Sequence, residues 1–145
     1  MECETGGEIT WTQFERGMKK LHCTSIDDVK ARLDGLRSTL ALADQFDATY
    51  RFAFKLNLEP NKKILSKDIA VALWELLLTG KFAMLDKWIE FVETRDDIQW
   101  ISKDVFHQLH SFSKKFGADL SAWQDDGAWP CVIDDFVEFV QEKKK

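Results

Sequence analysis

Apolar residues recur at helical spacing along most of the chain. Trp11, Phe14, Met18 and Leu21 share one face of a helix over residues 11–22. Ser25 opens a second helix, with Asp28 in the capping-box position three residues on. Ile26, Val29, Leu33, Leu36 and Leu40 give that helix one apolar stripe. Residues 44–56, with Phe46, Tyr50, Phe52 and Phe54, form a third, and 57–63 a loop containing Pro60. Ser66 caps the next helix, which stops near Gly80. Residues 82–92 carry Leu85, Trp88, Ile89 and Val92. Ser102 caps a helix with Phe106, Leu109 and Phe112 that Gly117 stops. Pro130 starts the last helix, where its missing N–H costs nothing; Val132, Ile133, Phe136, Val137 and Val140 form its buried face. Strong strand alternation is absent. The pattern predicts an all-α fold of seven helices in a single domain over 1–145, with a disordered or loop start at 1–8 and a frayed tail at 141–145.

A short loop, one apolar residue and a helix recur around Ile9, Ile64, Ile101 and Trp129. That is the layout of an EF-hand, where loop position 8 is apolar and calcium needs oxygen ligands at positions 1, 3, 5 and 12, with glycine at 6. With Gly127 at position 6, positions 1 and 12 are Ala122 and Ile133, so that loop is dead. With Ile64 at position 8 the ligand positions are Asn57, Glu59, Asn61 and Asp68, all oxygen-bearing, but Lys62 occupies the glycine position. The Ile101 loop has Val105 at position 12 and the Ile9 loop Gln13. The expected fold is therefore built from degenerate EF-hand-like units that hold no calcium.

Charge narrows the function. The 145 residues carry a net charge of -5, which argues against general nucleic-acid binding, because phosphate contacts need a basic face. The three cysteines, Cys3, Cys23 and Cys131, include no CxxC pair, which fits reduced thiols of the cytosol or nucleus rather than a zinc module. Met1-Glu-Cys-Glu is no signal peptide, and the longest apolar run, IAVALWELLL, is too short to span a membrane. A cytoplasmic or nuclear protein with no cofactor, metal or membrane partner is expected. Adjacent His22 and Cys23 read as a helix end. His107 and His110, three apart, lack an HExxH pattern, and no GxGxxG, P-loop or GxSxG appears. An enzyme with its own catalytic residue is not expected.

The stretch DDGAWPCVIDDFVEF places Asp134, Asp135 and Glu138 on the outer face of the last helix. Acids in a helix's first turn favour its positive dipole end, and the same holds for Asp104 after Ser102. The pattern alone favours that structural role; the other reading is that these helix starts present carboxylates to Lys or Arg of a partner. Together with LWELLLTGKF, LDKWIEF and ISKDVF, the segment GAWPCVIDDFVEF resembles the defective-in-cullin-neddylation (Dcn-like) family, whose members carry the potentiating-neddylation domain. The likeness runs from about Ile9 to Phe139.

The resemblance implies a helical, calcium-free domain acting as a non-catalytic ligase component. Such a domain holds the C-terminal winged-helix region of a cullin, with its RING partner present, and the conjugating enzyme charged with a ubiquitin-like modifier. By motif, the cullin-docking patch falls on Asp104 of SKDVF, Ala128 of GAWP and Asp134 of IDDF. The pocket for the N-acetylated methionine of the conjugating enzyme falls on Ile9, Leu56, Leu73 and Leu76; the family often has Phe or Tyr where this chain has Leu56 and Leu73. Relative to the family, the domain is expected to be N-terminally truncated, without the helices that form the pocket's other wall. Two alternatives stay open: a cullin binder that recruits the conjugating enzyme poorly and acts as a competitor, and a calcium-binding EF-hand protein.

Overall fold

The computed structural model describes residues 8–124 and 126–144. Apart from Glu8, the loop start expected at 1–8 lies outside the described residues, as do Cys3, Asp125 and Lys145. The chain forms two compact units, Met1–Asn61 and Lys62–Lys145. Helices dominate both, in keeping with an all-α class, and eight occur among the described residues.

The first unit holds α1 (Trp11–Lys20), α2 (Ile26–Ala31), α3 (Leu33–Leu40) and α4 (Ala43–Leu56). Thr10 starts α1 through a capping box: its Oγ1 accepts from the Gln13 N–H at 3.2 Å, and its own N–H donates to Gln13 Oε1 at 2.9 Å. His22 ends the helix in the left-handed region, φ +54°, where glycine is usual. The Cys23 and His22 N–H groups then close back onto Met18 O and Lys19 O, a Schellman pattern that makes this His-Cys pair a helix end.

The single helix expected from Ser25 to Leu40 is instead two. The capping box of Ser25 and Asp28 forms, but the chain breaks at Arg32, whose N–H is shared between Asp28 O and Val29 O. No Gly or Pro marks the break. The apolar stripe lies largely open, with Ile26 60% exposed and Leu33, Leu36 and Leu40 near 40%. Periodicity shows which residues share a face; it does not show that another element covers it. On α4, Phe46, Tyr50 and Phe54 are buried, four apart in sequence and on one face.

The second unit holds β1 (Ile64–Ser66), α5 (Lys67–Leu78), α6 (Leu85–Thr94), β2 (Trp100–Ser102), α7 (Lys103–Phe116) and α8 (Cys131–Lys143). Helix α8 thus continues into the segment expected to fray. β1 and β2 pair antiparallel with Leu65 opposite Ile101 at the centre, each 2% exposed. The inward residue of the first strand is therefore Leu65, not Ile64, which is 39% exposed. ILSKD and WISKD become mates about this centre, each strand running through a Ser into a helix that begins at Lys.

The mates differ in use. Ser102 Oγ accepts from the Val105 N–H at 3.2 Å, whereas Ser66 occupies the cap position without a side-chain hydrogen bond. Lys67 reaches across to α6, where its Nζ donates to Val92 O at 3.2 Å and Arg95 O at 3.0 Å. Helix α6 has no basic residue in its last turn, so Lys67 supplies the cation that its C-terminal carbonyls favour.

Aromatic rings fill this unit's core. Trp88 meets Trp74 and Phe136 edge-on at 5.3 and 5.1 Å, and Phe106 stacks on Trp74 at 5.8 Å. Phe91, outside the predicted stripe of α6, is buried, while Ile89 and Val132 are only half-buried. No helix among the described residues is long and apolar enough to cross a membrane.

Candidate docking site on α7, α8 and the loop between them

Ser102 caps α7, and Asp104 follows in its first turn, exposed, with its carboxylate at the positive end of the helix. At the far end, Gly117 is needed for space: a Cβ there would sit 2.3 Å from Ser113 O. Asp119 then turns the chain, its carboxylate accepting from the Ser121 N–H and hydroxyl at 2.9 and 2.7 Å, which lowers its pKa.

Two tryptophans fix the loop to α7. Trp123 lies 5.3 Å from Phe116 and 5.6 Å from Phe112, and Trp129 lies 5.7 Å from Phe112. Between these anchors Asp126 Oδ1 accepts from the Ala128 N–H at 3.0 Å, and Gly127 takes φ +71°, a left-handed value that a side chain disfavours. Ala128 is left exposed at the crest of the turn. Pro130 then starts α8, its carbonyl accepting from the Ile133 and Asp134 N–H groups.

The adjacent acids of α8 part company. Asp134 is half-buried in the first turn. Asp135 is tied to Arg95 at 3.2 Å, rather than simply facing outwards. Arg95 also grips Asp97 through two bonds of 2.7 and 2.6 Å and lies over the Phe91 ring at 5.4 Å. The Arg95 hydrogen bonds hold the Asp97 carboxyl at about 2, below its ordinary 3.8, and raise the guanidinium in turn. Glu138 remains exposed beside a groove of about 300 Å³ lined by Phe91, Arg95, Asp135, Phe139 and Glu142 among others.

Asp104, Ala128 and Asp134 thus all lie in the second unit, on two helices that pack through Phe112 and Phe136, 6.2 Å apart, and on the loop joining them. The four residues expected to hold an acetylated methionine divide between the units. Ile9, 45% exposed before α1, and half-buried Leu56 at the end of α4 are in the first. Leu73 and Leu76 are three apart on α5 in the second, Leu73 half-buried and Leu76 77% exposed, so Leu76 is not a core residue.

Among the described residues, no three His, Cys, Asp or Glu side chains come together in a way that could hold a metal ion. With Leu65, the inward residue of β1, counted as position 8, an EF-hand loop would have Leu58, Pro60, Lys62 and Ile69 at positions 1, 3, 5 and 12. The loop with four oxygen-bearing residues at those positions was a product of the Ile64 register.

A family model described as cullin binding matches residues 28–139. The chain belongs to the cullin-binding, DCN1-like family. The match spans Asp104, Ala128 and Asp134, and Leu56, Leu73 and Leu76 as well, but starts after Ile9. Among similar proteins, DCN1-like protein 3 of Xenopus laevis is 34% identical over 142 residues, 95% of this chain and 47% of the relative. DCN1-like protein 3 of Homo sapiens is 35% identical with the same coverage, and that of Drosophila melanogaster is 32% identical over 137 residues, 93% of this chain and 40% of the relative. The chain spans about half the length, or less, of these relatives.

Arg95 and Asp126 were not singled out from sequence as parts of this site. Asp126-Gly127 is a turn dipeptide, so a signal for the Ala128 turn was present. Arg95 has none, since its partner Asp135 is 40 positions away.

Proposed function

We propose that this chain docks a cullin through Asp104, Ala128 and Asp134 and promotes its modification by a ubiquitin-like protein, with no catalytic residue of its own. The observation that carries the reading is that Asp104 and Asp134 sit in the first turns of α7 and α8 and Ala128 on the exposed turn before α8, all inside the cullin-binding match. Two carboxylates at positive helix ends suit Lys or Arg of a basic cullin surface, and an exposed alanine, small as it is, lets that surface come close. A charge-assisted contact of this kind contributes about 1.5–3 kcal/mol, or about 10- to 150-fold in affinity.

In this reading the partner surface is the cullin's C-terminal winged-helix region, with its RING partner present. The conjugating enzyme, through its N-acetylated end, is the second partner. Rate enhancement then comes from proximity: holding donor and acceptor together raises their effective concentration without a reacting side chain. The setting is the cytoplasm or nucleus, where the conjugation machinery works.

The test is a reconstituted transfer reaction with a cullin–RING complex and the charged conjugating enzyme. Wild-type chain should accelerate cullin modification, and Asp134→Lys should not. Cullin binding without acceleration would instead mark the chain as a competitor. Equal acceleration by wild type and Asp134→Lys would remove the patch from the mechanism.

A further inference from the structure

The structure assigns Asp126 a role as a positioning residue for cullin docking: its carboxylate oxygen closes the turn that presents Ala128. This rests on the docking reading above and adds a residue to it. Asp126 is exposed, and its Oδ1 holds the Ala128 N–H at 3.0 Å, while its own N–H donates to Gln124 O at 3.0 Å. Gly127 supplies the left-handed step that the turn needs, φ +71°, with nothing within 4 Å of where its Cβ would lie. Downstream, the Trp129 ring is held by Phe112 and Phe116 at 5.7 and 6.2 Å. Ala128 is thus fixed from one side by an aromatic anchor and from the other by one side-chain oxygen.

A methyl group contributes to docking only if the backbone carrying it stays at the right distance from the partner. Without the Asp126 bond the Ala128 amide loses its acceptor, and the crest becomes free to pivot about Trp129. What Asp126 supplies is an acceptor oxygen rather than a charge. Asparagine has the same oxygen in the same place and forms the same turn.

The experiment uses the whole chain with two readouts. Calorimetry against a cullin C-terminal winged-helix domain should give a Kd about 2- to 10-fold weaker for Asp126→Ala, the size of one lost hydrogen bond. Asp126→Asn should bind nearly like wild type. Gly127→Ala, whose added methyl meets open space, should weaken binding like Asp126→Ala. Amide hydrogen exchange of Ala128 in the unbound chain should speed up in Asp126→Ala and not in Asp126→Asn.

Equal loss in Asp126→Asn and Asp126→Ala, with a shallower salt dependence, would make Asp126 a direct charge contact and overturn the inference. Unchanged exchange of the Ala128 amide in Asp126→Ala would overturn it without reference to any partner. If Asp134→Lys abolishes binding while Asp126→Ala leaves it intact, the docking reading stands and the positioning role falls. If neither substitution changes binding, the docking reading itself has failed.

Discussion

Truncating Leu65 should damage the protein far more than truncating its neighbour Ile64. Leu65 is 2% exposed and faces Ile101 at the centre of the two-stranded ribbon, whereas Ile64 is 39% exposed. Leu65→Ala removes a buried side chain and leaves a cavity among close-packed neighbours, at a cost of about 2–5 kcal/mol. At about 3–4 °C per kcal/mol for a chain of this size, its melting temperature should fall by roughly 6–20 °C. Ile64→Ala should cost about 1 kcal/mol or less, since much of that side chain already meets water. Urea unfolding followed by tryptophan fluorescence suits the comparison, because Trp74, Trp88, Trp100, Trp123 and Trp129 all lie in the second unit. A cycle with Ile101→Ala should show coupling of about 0.5–3 kcal/mol to Leu65. Equal or greater loss from Ile64→Ala would refute the register and everything drawn from it, including the misplacement of the calcium positions.

Three further outcomes follow from the same geometry. Ser102→Ala should cost about 1 kcal/mol in a urea melt through loss of the α7 cap, and Ser66→Ala at the mate position only a few tenths, because Ser66 caps with no side-chain bond. Asp97 should titrate near 2 in a pH series followed by carboxyl NMR, against an ordinary 3.8. Its folded pKa is depressed, so the Arg95 pairing is fully present above about 4 and is lost as pH falls through about 2; Asp97→Asn should remove that acid limb. Adding millimolar calcium or a chelator should leave the melting temperature unchanged, and a saturable micromolar rise in stability would contradict the ligand count.

The helices were legible because a period near 3.6 survives in Leu85, Trp88 and Val92 of α6 and in Phe106, Leu109 and Phe112 of α7, whatever lies opposite them. The placement of Asp104 was legible too, since Ser102 marks where α7 begins; Pro130 does the same for Asp134 on α8. The ribbon was not, because Ile64 and Leu65 are both apolar and three-residue strands show no alternation to decide between them. The break at Arg32 carries no Gly or Pro to announce it. Whether the stripe of Ile26, Leu33 and Leu36 is covered depends on the third dimension, as does the reach of Lys67 to the end of α6. The presentation of Ala128 depends on Trp123 and Trp129 meeting Phe112 and Phe116, and sequence spacing records none of those contacts. The pairing of Asp135 with Arg95 was hidden for the same reason, so Asp135 looked like a plain outward-facing acid.

The most direct measurement is calorimetry of this chain against a cullin C-terminal winged-helix domain, wild type beside Asp134→Lys. Docking through the α7 and α8 starts predicts saturable wild-type binding that weakens with salt, and a loss of at least about 30-fold in the variant while circular dichroism shows it still folded. No wild-type binding, or the same affinity in both proteins, would contradict it.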